Sequence, residues 1–471
     1  MPLTSPKIIY LLFFFSGAAG LIYEIVWGRL LVLIFGSTTN SIVAVISAFL
    51  GGLAIGSLLF GQIADRLPAK KLIKTYSLLE IGIGLSAAAT LVLLEVIKSI
   101  YANFSDGSSV TLGLLLFKFA LTILVLSVPT ILMGATLPIL VRFAQSQNQS
   151  QGKSVSLLYA INTLGGVAGV LVSAFILIEI FGLQNSLLVA VAINLTIGTF
   201  ASFIRASDKN LKIKKVQNLQ IGQILTPDKL IVLIAFFLSG LISIAYEVLW
   251  SRIFTPTIGT LIYAFATVLA IYILGIGIGS LVYEQFAKVI KRKNLAFAIC
   301  EAGIGIFAIA SVILTHKFVI DNGFRIAAII LPATILMGLT FPAVVALLKN
   351  EKHTGKIVGA SYFANTAGSI TGGFLASLLF IPVFGSSPSV LILASLNLTI
   401  AIIFIAKETT ASLLKYASLS TVLVFIVFGF WFSIHYSNIP FFHFLFFSSF
   451  FRNRQFRRRN RQIVPLLPVQ R

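Results

Sequence analysis

Phe15-Ser-Gly-Ala-Ala-Gly-Leu-Ile-Tyr-Glu-Ile-Val-Trp27 returns 223 residues later as Leu238-Ser-Gly-Leu-Ile-Ser-Ile-Ala-Tyr-Glu-Val-Leu-Trp250. Each copy lies in an apolar run longer than the about 20 residues a helix needs to cross a bilayer, and each holds one carboxylate, Glu24 or Glu247, between a tyrosine and a tryptophan. With the same offset and no gap, Arg29, Gly36, Gly52, Gly56 and Ser57 recur as Arg252, Gly259, Gly275, Gly279 and Ser280. Further along, Glu80, Gly82 and Gly84 return as Glu301, Gly303 and Gly305, and Leu132-Met133-Gly134 with Thr136 and Pro138 returns as Leu336-Met337-Gly338 with Thr340 and Pro342. Tyr159, Asn162-Thr163, Gly165 and Gly169 then reappear as Tyr362, Asn365-Thr366, Gly368 and Gly372. Chance does not produce such a register: one unit is used twice.

Of the 471 residues, 58% are hydrophobic and 10% charged, with a mean hydropathy of +1.02. Soluble domains are about 45–50% apolar and about 25% charged, so a water-soluble enzyme is excluded for most of the chain. Cys300 is the single cysteine; it cannot form an intrachain disulfide, and no cysteine and histidine cluster has metal-ligand spacing. No cofactor is expected. The net charge of +21 would suggest nucleic acid in a soluble protein, but here its placement points to the bilayer and away from nucleic acid. Lys7 precedes an apolar run from Ile8 to about Gly36, which reads as a first span rather than a removed signal peptide.

Spans are expected near 8–34, 40–64, 76–97, 112–141, 155–181 and 186–204, then near 230–254, 260–287, 295–315, 326–348, 358–384 and 387–406. A thirteenth runs from Tyr416 to about His435, and a phenylalanine-rich stretch continues to Phe451. Alternate loops collect the cations: Arg66, Lys70, Lys71 and Lys74 in one, Lys288, Lys291, Arg292 and Lys293 in its counterpart. The opposite loops hold only Lys98, Lys317 and Arg325. By the positive-inside rule the N-terminus is cytoplasmic and the protein is multi-pass in the cell's inner (plasma) membrane. The expected organisation is a six-helix repeat at 1–204, a basic linker at 205–229, a second repeat at 230–406, additional hydrophobic span(s) at 407–451 and a basic tail at 452–471. Six is even, so the repeats are parallel, as in the two halves of major-facilitator transporters. The fold class expected is all-α and polytopic, with 12 to 14 transmembrane helices.

Charges at membrane depth cost about 2.5–3.5 kcal/mol each on insertion scales and should face protein or water. For Glu24 and Glu247 two readings stand. In the one placed ahead, each forms a structural ion pair with Arg29 or Arg252 near the outer helix ends, with Tyr23, Trp27, Tyr246 and Trp250 in an interfacial aromatic belt; in the other they bind solute. Glu80 and Glu301, early in the third span of each half, either hold an ammonium or relay protons, or hydrogen-bond between helices. By symmetry these four glutamates are the ones able to line one shared cavity. Arg29, Arg252, Tyr23, Tyr246, Asn162 and Asn365 complete the candidate substrate-binding set, with no catalytic residue among them. Lys118 and Glu179 are further charges at depth. Gly52 with Gly56, Gly275 with Gly279, Gly165 with Gly169 and Gly368 with Gly372 are small-xxx-small packing faces, and Pro129, Pro138, Pro332 and Pro342 are expected to kink two symmetric helices.

The stretch Gly61-Gln-Ile-Ala-Asp65-Arg66 resembles the loop between the second and third helices of major-facilitator proteins. The phrases at 15–27 and 238–250, with Gly51-Gly52-Leu-Ala-Ile-Gly56-Ser57 and the Leu-Met-Gly pattern, resemble the membrane module of fused major-facilitator and spermidine-synthase proteins over residues 8–435. That resemblance implies a small cationic, polyamine-related solute handled by alternating access, or a non-transporting anchor for a cytoplasmic aminopropyltransferase. In that family a soluble aminopropyltransferase domain follows the spans. Only twenty residues follow Phe451, seven of them arginine, so the expectation is that this chain is not itself an enzyme and that its tail replaces the start of a fourteenth span after a frame change or truncation.

Overall fold

The computed structural model describes residues 6–408, apart from 37–38, 105–111, 148–149, 205–225, 259–260, 287–291, 319, 321 and 350–352. The expected linker falls almost wholly outside the described residues, and the thirteenth span, the phenylalanine-rich stretch and the arginine tail lie entirely outside them.

Twelve long helices run through the described residues, one in each stretch read as a span: α1 (Pro6–Phe35), α2 (Thr39–Ala64), α3 (Ala69–Phe104), α4 (Leu112–Ser146), α5 (Gln151–Val172), α6 (Ile178–Ser202), α7 (Pro227–Ile258), α8 (Leu261–Phe286), α9 (Lys293–Lys317), α10 (Gly323–Leu347), α11 (Thr354–Leu375) and α12 (Ser386–Glu408). In hydrocarbon every backbone N–H and C=O must be satisfied within the segment, which a helix does. Large apolar side chains point outward, Leu33 (75% exposed) and Val92 (70%) among them, while Ser, Thr and Gly gather inside. The core itself is mostly apolar, but an outer surface this apolar suits a lipid surround.

The repeat in sequence is a repeat in packing. α1 lies on α5 and α2 on α4, as α7 lies on α11 and α8 on α10; α3 with α6 is matched by α9 with α12. Across the halves, α2 meets α11 and α5 meets α8. Glycines set how near these helices come. A Cβ on Gly17 would lie 2.0 Å from the Asn162 carbonyl oxygen, and one on Gly240 would lie 2.1 Å from that of Asn365, so the α1/α5 and α7/α11 crossings are made backbone on backbone.

The helices do not break at Pro129, Pro138, Pro332 or Pro342, whereas Pro382 does lie in one of the breaks. Pro129 and Pro138 lie inside continuous α4, and Pro332 and Pro342 inside continuous α10. Instead, π-helical turns at Ser173–Leu177 and Ala376–Phe384 follow α5 and α11, and Gly182 (φ 73°) and Gly385 (φ 79°) turn the chain back. An L side chain is strained at such φ values, whereas glycine adopts them freely.

The aromatic phrases are not an interfacial belt. Tyr23, Trp27, Tyr246 and Trp250 are all buried, stacked in pairs with ring centroids 4.9 Å and 5.2 Å apart. Their indoles donate to matching hydroxyls, Trp27 Nε1 to Thr90 at 2.9 Å and Trp250 Nε1 to Ser311 at 3.1 Å, which satisfies the one polar atom each ring takes into the core.

Candidate functional site

A cavity of about 230 Å³ opens between the halves, walled by α1, α2, α4, α5 and α6 on one side and α7, α8 and α11 on the other. This is below the about 300–1,000 Å³ of drug-sized pockets and suits a small solute. Glu24 and Glu247 both line it, Glu247 buried and Glu24 half-buried. Among the described residues neither has an ion-pair partner. Tyr159, Tyr272 and Tyr362 bring rings to the same wall. Tyr272 and Ser243 share a short hydroxyl–hydroxyl hydrogen bond, and Ser243 also reaches Met337 Sδ at 3.3 Å. Two acids among aromatic rings have the chemistry that organic cations need, since ammonium groups pair with carboxylates and lie over ring faces.

The Glu–Arg pairing is not made. On a helix of 3.6 residues per turn, a five-residue step places Arg29 about 140° round from Glu24. Arg29 is half-buried and Arg252 exposed, and neither lines the cavity. Asn162 does, its Nδ2 donating to the Phe13 carbonyl at 3.2 Å; Asn365 makes the matching bond to Phe236 at 3.4 Å but is not on the cavity wall. Tyr23 and Tyr246 lie behind the wall in their stacks. Lys118 closes the end of α1 by donating to the Phe35 carbonyl at 2.7 Å, and Glu179 accepts from the Tyr263 hydroxyl at 2.6 Å.

Glu80 and Glu301 do not line the shared cavity either. Both are fully buried, and each accepts a hydrogen bond from an asparagine six helices into its half: Asn194 Nδ2 to Glu80 Oε2 at 2.6 Å, Asn397 Nδ2 to Glu301 Oε2 at 2.7 Å. The sequence reading missed Asn194 and Asn397. The signal was there: the 203-residue offset that relates Asn162 to Asn365 also relates Asn194 to Asn397 and Gly182 to Gly385.

On the basic face, below the cavity, the halves are joined. Asp65, just past α2, accepts from the Gly355 N–H (2.8 Å) and the Lys356 N–H (2.9 Å) at the start of α11, and lies 3.7 Å from Arg142 Nε. It fills the place of a helix cap across the interface, where unpaired N–H groups and the positive helix end attract a carboxylate. Burial pushes the Asp65 carboxyl above its usual range, against the backbone N–H groups of Lys356 and Gly355 and the charges of Arg142 and His353, which pull it down. The second half answers with a weaker contact, Glu284 to Lys153 at 3.8 Å. Ser57 Oγ to the Gly359 carbonyl and Ser280 Oγ to the Ser156 carbonyl repeat the same symmetry.

No family model matches the chain. The polyamine aminopropyltransferase of Oceanobacillus iheyensis is 27% identical over 179 residues, 36% of this chain and 34% of that one. Polyamine aminopropyltransferase 1 of Streptomyces coelicolor is 23% identical over 195 residues, 40% of this chain and 36% of that one. The chain thus spans about a third of the length of these curated relatives. Among solved structures, a bacterial homologue of the iron transporter ferroportin in an outward-facing state matches with a TM-score of 0.58 at 14% identity, covering 84% of this chain and 97% of that one. The nucleoside transporter NupG matches with a TM-score of 0.54 at 15% identity, covering 85% and 98%. The fold is therefore major-facilitator-like, an all-helical bundle whose helices are long and apolar enough to cross a membrane.

Proposed function

We propose that the chain is an inner-membrane transporter of a small cationic, polyamine-related solute, carried by alternating access, with its N-terminus and basic loops in the cytoplasm. One observation carries the reading: Glu24 and Glu247, with no cationic partner among the described residues, line one cavity between the halves. A buried carboxylate without a counter-charge is costly, and a diammonium solute would supply two. The aromatic wall favours the same ligand class. In this proposal the repeats at 1–204 and 230–406 rock against each other about the cavity. The Asp65 contact holds the cytoplasmic side shut while the solute site faces the other way.

Flux of labelled putrescine and spermidine into proteoliposomes tests this directly. Saturable uptake that unlabelled diamine competes away supports it; leakage no faster than protein-free vesicles sinks it.

A second reading makes the bundle a membrane module that holds an aminopropyltransferase, fused or separate, at the cytoplasmic face. It is favoured by the partial match to two proteins named as polyamine aminopropyltransferases. It predicts no flux, together with recovery of aminopropyltransferase activity with the affinity-purified chain. Aminopropyl transfer is not assigned to the described residues themselves.

A further inference from the structure

The two buried glutamate networks are copies in sequence but not in access. In the second half Asn397 is engaged on both sides: its Nδ2 donates to Glu301 and its Oδ1 accepts from the Tyr246 hydroxyl at 3.0 Å. None of Glu301, Asn397 and Tyr246 lines the cavity. In the first half, Ser16 Oγ donates to Glu80 Oε1 at 2.7 Å and Asn194 Nδ2 to Glu80 Oε2 at 2.6 Å, and both Ser16 and Asn194 are cavity residues. The bond equivalent to Tyr246–Asn397 is open: among the described residues neither the Tyr23 hydroxyl nor Asn194 Oδ1 has a hydrogen-bond partner, although Asn194 is only 1% exposed.

We propose that Glu80 is a proton-binding residue that communicates with the cavity through Ser16 and Asn194, that Glu301 is its closed-off counterpart, and that the chain exchanges its cationic solute for protons. The inference deepens the transport reading above and rests on it. A serine hydroxyl donates and accepts at once. A proton from cavity water is taken up by Ser16 Oγ as the original Ser16 proton passes to Glu80 Oε1; the carboxylate becomes a neutral carboxyl and the cavity loses one proton. The reverse steps return it. While Glu80 is ionised, the Ser16 O–H and the Asn194 N–H point at it, leaving the Ser16 Oγ lone pairs for the cavity, which suit an ammonium donor. Once Glu80 is protonated it is itself a donor, Ser16 is free to turn its hydrogen towards the cavity, and the negative charge is gone. Proton and cation therefore oppose each other, and by linkage each weakens the other equally.

The groups facing Glu80 leave it as the one acid of this network. Its own helix presents Tyr76 and α1 presents Tyr23, both neutral phenols, with Glu24 one residue further on. On α6 Asn194 faces it, and Glu179 is bound to Tyr263. On α4 the two charged side chains are engaged at opposite ends, Lys118 with the Phe35 carbonyl and Arg142 with Asp65.

The full chain in proteoliposomes, with labelled putrescine, gives two rates: counterflow at equal pH, and uptake driven by a pH gradient. A pH-sensitive dye in weak buffer gives a third readout, proton release when putrescine is added to the detergent-solubilised protein. Wild type should release protons, and Glu80→Gln should lower the ratio of gradient-driven uptake to counterflow roughly 5- to 150-fold and abolish the release. Ser16→Ala should lower the same ratio, which keeps the test open if Glu80→Gln does not fold. Glu301→Gln should leave the ratio at its wild-type value. The proposal is overturned if the wild type releases no protons, if a folded Glu80→Gln or Ser16→Ala keeps the wild-type ratio, or if Glu301→Gln lowers it as much. Absence of wild-type counterflow overturns the transport reading instead, and the proton-release measurement still decides for or against Glu80.

Discussion

Glu24 and Glu247 occupy equivalent positions on α1 and α7, 223 residues apart in sequence, and line the same cavity. A pair of acids is matched by a diamine rather than a monoamine. Loss of a charge-assisted hydrogen bond costs about 1.5–3 kcal/mol, or roughly ten- to a hundredfold in Kd. Glu24→Gln and Glu247→Gln should each weaken putrescine binding by that factor while affecting butylamine much less. Titration calorimetry on purified variants checks it, and equal losses for both amines would remove the two-acid basis of the site.

Gly56 bears on how the bundle is assembled. A Cβ there would sit 1.9 Å from the Ile131 carbonyl oxygen of α4, whereas one on Gly28 meets nothing within 4 Å. Gly56→Ala must push α2 away from α4, and overpacking of this kind costs about 1–3 kcal/mol. Gly28→Ala should be neutral or stabilising by up to about 1 kcal/mol through helix propensity. Thermal unfolding in detergent should separate the two; similar midpoints would mean the α2/α4 crossing is looser than described.

Thr90 and Ser311 exist to be acceptors for the two buried indoles. Thr90→Val keeps the shape of the side chain and orphans the Trp27 N–H, at a cost of about 1–3 kcal/mol for a buried donor. Ser311→Ala should do the same to Trp250. Unfolding midpoints of both variants, beside an exposed control such as Thr196→Val, measure the effect, and unchanged stability would imply that the indoles find another acceptor.

The fold could be read from the sequence because a bilayer leaves few solutions: apolar runs of span length become helices, and a register of repeated Gly, Glu and Trp fixes the two halves on each other. The charged residues were harder. Glu24 and Arg29 are neighbours in sequence but lie on different sides of α1, and a spacing of five does not say which side faces a partner helix. Glu80 and Glu301 were equally visible as a duplicated pair. Their partners Asn194 and Asn397 stand 114 and 96 residues away, and only the packing of α3 on α6 and of α9 on α12 joins them. Local sequence also cannot show that Ser16 reaches the cavity and thereby separates two networks that look the same.

Asp65 ties α2 to the start of α11 by two backbone N–H donors, and Arg142 supports it from α4. The 223-residue register puts Lys288, not an acid, at the matching position, and the second half's own contact, Glu284 to Lys153 at 3.8 Å, has side-chain exposures of 27% and 53%. Exposed pairs contribute about 0–1 kcal/mol, while hydrogen bonds to a buried carboxylate contribute about 1.5–3 kcal/mol each. The basic-face closure is therefore lopsided, and Asp65→Ala should open it far more than Glu284→Gln. Spin labels at Lys74→Cys on α3 and Lys349→Cys beyond α10, in a Cys300→Ser background, report the separation of the halves on that face. A new, longer distance should become prominent in Asp65→Ala and stay minor in Glu284→Gln. Equal distance distributions in both variants would mean that the glycine contacts of Gly61 with Gly355 and Gly359, rather than the carboxylate, keep this face shut.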